Sequence, residues 1–393
     1  MDPANFYFPR QKLAQNLVDR MQGVHLPADR SGLFLAAPRR TGKTSFLQKD
    51  LIPELRSRGI LPIYVDLWAD TKRDPGFLIA QHIQQAMQAH TPSIQKILHS
   101  MGLAEVSLFG ALKIGLQNDK TTPVLTLPEA LRVLVMAAQC SVTLIVDEAQ
   151  HTLNTEVGLE TMFALKSARD LLRYEPTPLY LVMTGSNRDK LGQLIYDKQQ
   201  PFFGAEVAHF PLLDDQFLQA FTQSVNQYLT AEYHLQMTEL QPVFRMVGSR
   251  PELLWRLVLG LMQSHQKTWS SKQLLAAAGQ IQQQEWAEIT RRFGDLTEVQ
   301  RAVMETLLET KLAQNPESGV FSTAFLTRCG EKLGKKTIPG GSVQTALEKL
   351  RRENWIWRAS WGGYLLEDDH LVDWYQRRLH DRGNEVPFPL AEG

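Results

Sequence analysis

The sequence predicts an α/β protein: a parallel five-stranded sheet covered by helices, then a wholly helical region and a small domain of three helices and a hairpin. Three observations support this prediction. Apolar runs of strand length alternate with helical patterns through roughly the first 210 residues. Strand-like runs are absent from about residue 214 to 292, and a tryptophan-rich hairpin pattern follows near the C-terminus.

The predicted strands are short and apolar, and the segments between them repeat apolar residues every three or four positions. The strands are expected at residues 32–36, 61–67, 143–146, 178–183 and 207–212. Helices are expected at residues 44–58, 76–89, 127–139 and 159–173. A further segment, residues 105–124, alternates in polarity and is predicted to be an inserted hairpin.

The composition is that of a folded protein with several domains. The chain has 393 residues, of which 43% are hydrophobic and 21% charged. Its 42 basic and 42 acidic residues cancel, so a nucleic-acid surface must be a local patch. Two cysteines exclude a disulfide framework or a structural zinc cluster. Because no apolar run approaches ~20 residues and no leader pattern is present, we expect a cytoplasmic protein without a membrane partner.

The patterns divide the chain into three domains and a tail. We expect a core at 1–213, a helical lid subdomain at 214–295, a third domain at 296–383 and a frayed tail at 384–393. The third domain has predicted helices at 297–312, 322–333 and 342–354, followed by two short apolar strands. Three helices and a hairpin are typical of a winged helix-turn-helix.

The loop after the first strand carries the strongest motif. It reads APRRTGKTS, which is the Walker A pattern except that Ala37 replaces the first glycine, a change that a negative φ tolerates. Backbone N–H groups of such a loop surround a β-phosphate at a helix N-terminus. We therefore expect ATP to bind here. The predicted binding residues are Pro38, Arg39, Arg40, Thr41, Gly42, Lys43, Thr44 and Ser45.

Two adjacent carboxylates, Asp147 and Glu148, end the third apolar run as in a Walker B motif. At the carboxyl end of a parallel strand both can face the crevice in which such sheets bind ligands. Asp147 and Thr44 are then expected to hold Mg²⁺, Lys43 to neutralise the β- and γ-phosphates, and Glu148 to polarise the attacking water. Alternatively, the two acids only cap the following helix.

A polar segment, Thr184 to Asn187, follows the fourth predicted strand. Ser186 and Asn187 are candidates to hold the γ-phosphate or the attacking water, and Asn187 completes the predicted catalytic set with Lys43 and Glu148. The alternative role of Asn187 is to cap the next helix.

Together these residues resemble the AAA+ ATPases of the origin-recognition-like and STAND kind, in particular the archaeal-type ATPase family. Its loop commonly reads GPRRVGKTS, and the acid pair and the Thr184 segment fit its order and spacing. Phe8 and Arg10 lie in a segment similar to the family's box beside the adenine, although Pro9 and Lys12 depart from it. The resemblance implies an ATP- and Mg²⁺-dependent ATPase with a helical lid.

The resemblance also implies contacts from the lid and from a neighbouring subunit. Arg250 and Pro251 are similar to the lid's G-x-P signature, whose proline lies near the base, while Arg250 could instead contact the phosphates. Family members often carry an arginine after an apolar-Gly pair, but here Ala205 takes that place. An arginine finger would have to come from elsewhere. Arg169, Arg173 and Arg188 are candidates, but each is expected instead to be an exposed helix residue.

The predicted winged helix carries a local positive charge. Between residues 328 and 352 there are seven Lys or Arg against two Glu. Second helices of such modules enter the DNA major groove. The expected contacts with double-stranded DNA are Lys335, Lys336, Ser342, Gln344, Thr345, Lys349, Arg351 and Arg352. Alternatively, the charge only solvates the helix, and the tryptophan-rich wing packs internally or binds a protein partner.

The leading functional hypothesis is an ATP-hydrolysing switch whose nucleotide state controls self-assembly and engagement of DNA or a partner. The alternative is a regulatory protein that binds nucleotide with little turnover and recognises a protein through the wing. A small-molecule kinase is disfavoured by the paired acids and by the two additional modules.

Overall fold

The computed structural model shows a five-stranded parallel sheet in the N-terminal half of the chain. It describes residues 6–24, 32–101, 125–196, 198–263, 271–313, 319–359, 363–368 and 370–384. The predicted hairpin at 105–124, the wing tip at Trp361 and the tail beyond Asn384 lie outside these residues.

All five predicted strands are confirmed, in the spatial order β2-β3-β4-β1-β5. Their bounds are β1 Leu33–Ala36, β2 Leu61–Asp66, β3 Val142–Asp147, β4 Leu179–Gly185 and β5 Val207–His209. β2 lies at an edge of the sheet, where the missing N–H group of Pro62 is tolerated. β5 is shorter than expected, because the chain leaves the sheet after Phe210 and Pro211 has no N–H group to extend the pairing.

Helices cover both faces of the sheet, so that β3 is buried along its whole length. The four predicted helices are confirmed. The helices of this part are α1 Gln11–Gln22, α2 Lys43–Phe46, α3 Ile52–Ser57, α4 Pro75–Gln88, α5 Thr91–Ser100, α6 Leu127–Ala138, α7 Glu156–Leu172 and α8 Arg188–Tyr196. A π-helical segment, Leu47–Leu51, joins α2 to α3, and a 3₁₀ segment, Ala149–Asn154, precedes α7.

The pleat of β3 connects two apolar cores. Leu144 and Val146 belong to one core together with residues of α4, α6 and α7, and Ile145 belongs to the other with residues of α1 to α3. α5 lies outside the helices predicted from the sequence. Its Pro92 is in the first helical turn, where proline lacks only an N–H group that has no intrahelical partner.

The chain folds into two compact units: residues 7–212, and residues 213–393 together with the N-terminal segment that ends at Phe6. The finer division into core, lid and third domain stays a prediction. The helices of the second unit are α9 Asp215–Asn226, α10 Met237–Met246, α11 Pro251–Gln263, α12 Ser271–Gly294, α13 Glu298–Leu312, α14 Thr323–Glu331, α15 Gly340–Arg352 and α16 His370–Asn384.

A short antiparallel pair of strands, β6 Ile356–Arg358 and β7 Tyr364–Leu366, follows α15. Three of the four tryptophans in this region, Trp355, Trp357 and Trp374, are buried, and Trp355 stacks edge-on against Phe293. These three side chains therefore form part of the core and offer little surface to a partner. Among the described residues, no helix is both long and apolar enough to span a bilayer.

α14 approaches the turn before α15 so closely that only glycine fits at residue 330. A Cβ atom at Gly330 would lie 2.5 Å from the Thr337 Cα atom. Around a Cβ at Gly341 in α15, by contrast, no atom of the described residues outside the local helix backbone lies within 4 Å. We expect Gly330→Ala to lower the free energy of unfolding by about 1–3 kcal/mol, since backbone must move. Gly341→Ala is the matched control and should be neutral or slightly stabilising. Urea unfolding checks both, and equal effects would contradict the packing described.

Candidate functional site

The loop between β1 and α2 has the backbone shape of an anion cradle. Arg40 and Gly42 adopt left-handed φ values of 67° and 87°, while Ala37 is not among the residues with positive φ, as its side chain requires. The Ala37 N–H group donates to the Gly185 carbonyl at 3.2 Å, and the Thr41 hydroxyl donates to the Pro38 carbonyl at 2.8 Å. The first helical N–H groups after Gly42 have no intrahelical acceptor, so they are available to a phosphate.

Asp147 is the centre of the site, with 1% of its side chain exposed. Oδ2 accepts hydrogen bonds from the Thr44 hydroxyl at 2.7 Å and the Tyr64 phenol at 3.3 Å. Oδ1 accepts one from Thr184 and lies 3.4 Å from the Lys43 Nζ atom. Burial, reinforced by the charge of Asp147, raises the pKa of Tyr64, so the phenol keeps its proton and donates. The buried carboxylate is thereby compensated on both oxygens.

The side chain of Thr44 and that of Asp147 fit a magnesium ion. A hydroxyl and a carboxylate oxygen are ligands that Mg²⁺ takes in nucleotide sites, usually with substrate phosphates and water. In this structure the two groups already lie within hydrogen-bonding distance of each other. The two protein groups predicted to hold the metal therefore lie side by side.

Glu148 has a left-handed backbone, with φ of 58°, and its carboxylate is held at both ends. Oε1 lies 2.8 Å from the Lys43 Nζ atom. Oε2 accepts hydrogen bonds from the Ser186 hydroxyl at 2.7 Å, from the Ser186 N–H group at 3.2 Å and from the Gln150 amide. Burial acts to raise the pKa of Glu148, but the charge of Lys43 and these hydrogen bonds outweigh it, so the pKa is lowered.

Asn187 lies at the start of α8, where its side-chain oxygen accepts a hydrogen bond from the Lys190 N–H group at 2.7 Å. Asn187 therefore caps α8, which is the alternative role expected from the sequence. Its neighbour Ser186 contacts Glu148 directly. The catalytic role of Asn187 stays a prediction.

The N-terminal segment is tied to the helix of the phosphate loop. The Arg10 guanidinium lies 4.6 Å from the centre of the Phe210 ring and donates to the Pro211 carbonyl at 2.7 Å. The backbone N–H group of Arg10 donates to the buried Asp50 carboxylate at 3.0 Å. Phe8 is half-buried. The roles of Phe8 and Arg10 beside an adenine stay predictions.

Arg250, in the second unit, is engaged with its own surroundings. Its Nε atom donates to the Val247 carbonyl at 2.7 Å, and its Nη2 atom pairs with Glu285. Pro251 is the first residue of α11. The nucleotide contacts predicted for Arg250 and Pro251 stay predictions.

The expectation that all three candidate arginine fingers are exposed is wrong for two of them. Arg169 and Arg188 are 9% and 8% exposed, and Arg169 pairs with Asp170 and lies over the Phe202 ring. Only Arg173 is exposed, at the end of α7. The buried pair cannot reach a neighbouring chain without rearrangement.

The positive patch of the third predicted domain has fewer unpaired charges than the seven Lys or Arg against two Glu counted in the sequence. Arg328 and Lys332 pair with Glu309 of α13, which lies outside the segment that was counted. Lys335, Lys336 and Arg352 remain exposed. Of the other predicted DNA contacts, Ser342 is exposed and Arg351 is half-buried. The remaining three make local contacts within α15 or at its end: Lys349 with Glu353, Gln344 with Glu348, and Thr345 with the Gly341 carbonyl.

Several residues of the site were given no role from the sequence, including Thr184, which lies in the polar segment recognised there. Tyr64 and Thr184 are polar side chains on apolar strands, and Gln150 follows Glu148 by two positions. Trp68, which is 50% exposed, stacks under the Arg39 guanidinium at 4.7 Å from the ring centre. A polar residue at or near the end of a buried strand was the available signal for Thr184.

Comparison with known proteins agrees with this geometry at the level of the fold. No protein-family model and no curated protein matches the chain. The structure is similar to that of a Walker-type ATPase of Pyrococcus abyssi, with a TM-score of 0.53 and 18% identity over 94% of this chain and 96% of that one. The chain has the fold of a Walker-type ATPase. The ORC2 protein of Aeropyrum pernix, solved as ADPNP and ADP complexes, also matches, at a TM-score of 0.46 and 13% identity over 97% and 98% of the two chains.

In this Walker-type fold the Lys43–Glu148 pair makes stability depend on pH. The folded pKa of Glu148 lies below its ordinary value of 4.5, so the pair stabilises the fold above that pH. This contribution is lost as the pH falls through the lowered pKa. Glu148→Gln should therefore be less stable than the natural chain at neutral pH, and the two should converge once the pH falls below the lowered pKa of Glu148. Urea titrations of both chains measure the difference, and a pH-independent gap would contradict it.

Proposed function

We propose that the chain binds ATP with Mg²⁺ and hydrolyses it slowly. The convergence of Lys43, Thr44, Asp147 and Glu148 at the carboxyl end of the sheet carries this proposal. These four side chains include a cation for the phosphates, two groups that could bind the metal and a base. They lie beside the loop in which Arg40 and Gly42 have left-handed backbone conformations. The fold of a Walker-type ATPase supports it.

The ion pair between Lys43 and Glu148 suggests how the triphosphate activates the site. In this structure the Nζ atom of Lys43 lies 2.8 Å from Oε1 of Glu148 and neutralises it. A triphosphate carries more negative charge than one carboxylate and attracts the ammonium more strongly. Lys43 then moves to the phosphate oxygens, and Oε1 of Glu148 becomes able to accept a proton.

In the hydrolytic step, a water molecule attacks the γ-phosphorus while Oε1 of Glu148 accepts one of its protons. A bond forms between the water oxygen and phosphorus, and the bond from phosphorus to the bridging oxygen breaks. The bridging oxygen leaves with the electron pair as part of ADP. Bound Mg²⁺ would supply charge neutralisation at the phosphate oxygens. Lys43 stabilises negative charge on the γ-phosphate oxygens throughout.

We expect Lys43→Ala to weaken ATP binding and turnover together, because both the cation and its contact with the phosphates are lost. Glu148→Gln should bind ATP at least as tightly as the natural chain but turn over about 10²-fold more slowly, since the amide cannot accept the proton. Calorimetry and phosphate release measure the two effects. Equal turnover in the natural chain and both variants would show that any measured activity comes from elsewhere.

Binding without measurable turnover in the natural chain would favour the alternative, a regulatory protein that uses nucleotide structurally. Sizing the chain with and without a slowly hydrolysed ATP analogue tests whether nucleotide drives assembly. We expect a larger species with the analogue, and none with Lys43→Ala. If the chain binds the analogue but its measured size stays the same, the proposed switch is contradicted.

We also propose that the third predicted domain contacts double-stranded DNA through the exposed cations beside α15. Lys335 and Lys336 precede this helix in the chain, and both are exposed, as are Ser342 and Thr345 in the first turns of α15. Phosphate contacts of this kind give affinity that falls with salt.

Changing both Lys335 and Lys336 to Glu should abolish most DNA affinity at ~50 mM salt and reduce the slope of log affinity against log salt by about two. Lys272→Glu, at the start of α12 and likewise exposed, is the control for net charge. Fluorescence anisotropy with a duplex gives both numbers. DNA binding that is unchanged in the double variant, or absent from the natural chain at that salt, would remove this role.

A further inference from the structure

Gln150 is a buried amide beside the proposed base. It is 5% exposed and lies in the 3₁₀ segment that follows Glu148. Its Nε2 atom donates to Oε2 of Glu148 and lies 3.5 Å from the Ser186 hydroxyl. Its Oε1 atom is buried and accepts no hydrogen bond within the described part of the chain.

The orientation of this amide is set by Glu148. Turning the amide over would place its oxygen against a carboxylate oxygen, and neither of these atoms can donate. The Gln150 side chain therefore leaves its own oxygen unpaired in order to present the NH₂ group to Glu148. In a buried amide both the oxygen and the NH₂ group normally have hydrogen-bond partners. Here only the NH₂ group has one, so the contact with Glu148 determines how the amide is oriented.

Gly185, the last residue of β4, provides the space that the amide fills. A Cβ atom there would lie 2.5 Å from Oε1 of Gln150 and 3.3 Å from the Leu191 Cβ atom. The backbone of Gly185 does not have a positive φ, so the conformation itself does not require glycine. The absence of a side chain at this position serves the packing of Gln150.

We propose that Gln150, wedged against Gly185, is a positioning residue that fixes the Glu148 carboxylate so that Oε1 alone faces the attacking water. Oε2 already accepts hydrogen bonds from Ser186 and Gln150, whereas Oε1 is bound by the ammonium of Lys43, which the proposed mechanism transfers to the phosphates. The two oxygens thus have separate roles, one for anchoring and one for proton transfer. This inference rests on the proposed hydrolysis of ATP.

The test is a double-mutant cycle on the full chain with ATP and Mg²⁺, measuring kcat and KM across the pH range. Gln150→Ala should lower kcat about 10-fold with KM unchanged, and move the acidic limb of the kcat profile to higher pH because Glu148 loses a donor. Gly185→Ala should cause a similar loss, since its methyl group displaces the amide. The double variant should be no slower than Gln150→Ala, because truncation at 150 frees the space.

Gln150→Glu keeps the shape of the side chain but removes the donor, and its negative charge should move the acidic limb further than alanine does. Gln85→Ala, on the exposed face of α4, is the control for a glutamine change and should leave the profile unaltered. Losses that multiply in the double variant, or a Gln150→Glu profile equal to that of the natural chain, would overturn the positioning role. A natural chain without turnover refutes the proposed function instead, and with it the role of Gln150 in catalysis.

Discussion

The N-terminal unit depends on the burial of one carboxylate. Asp147 is 1% exposed at the end of a central strand, and a buried charge of this kind is tolerated only when its oxygens are paired and hydrogen-bonded. Its partners come from three places in the chain: Lys43 and Thr44 after β1, Tyr64 in β2 and Thr184 in β4. Satisfying this one group therefore fixes where the phosphate loop lies against the sheet.

The strand order explains why this is achievable. β3 lies between β2 and β4, so Tyr64 and Thr184 flank Asp147 from both neighbouring strands. β1 lies on the far side of β4, and the loop after β1 brings Lys43 back across the sheet end to Asp147 and Glu148. A parallel sheet places all these strand ends at one edge, which is where ligands bind in open α/β folds. The same arrangement that neutralises a buried acid also assembles groups suited to a triphosphate.

The sequence was sufficient for the parts of the site that are contiguous. The strands, the loop of Lys43 and Thr44 and the acid pair could be located because apolar runs and the spacing of a phosphate loop are local signals. Tyr64 and Gln150 could not, since their roles depend on strand register and on the empty space at Gly185. Counting charge along the chain likewise overstated the patch near α15, because Arg328 pairs with an acid from another helix.

The most direct test is a crystal structure of the chain with Mg²⁺ and a slowly hydrolysed ATP analogue. We expect the analogue's triphosphate in the loop around Gly42 and the Lys43 Nζ atom on its phosphate oxygens, no longer 2.8 Å from Oε1 of Glu148. Oε2 should still be bound to Ser186 and Gln150. An analogue bound elsewhere, or one bound in the loop with the Lys43–Glu148 pair intact, would contradict this expectation.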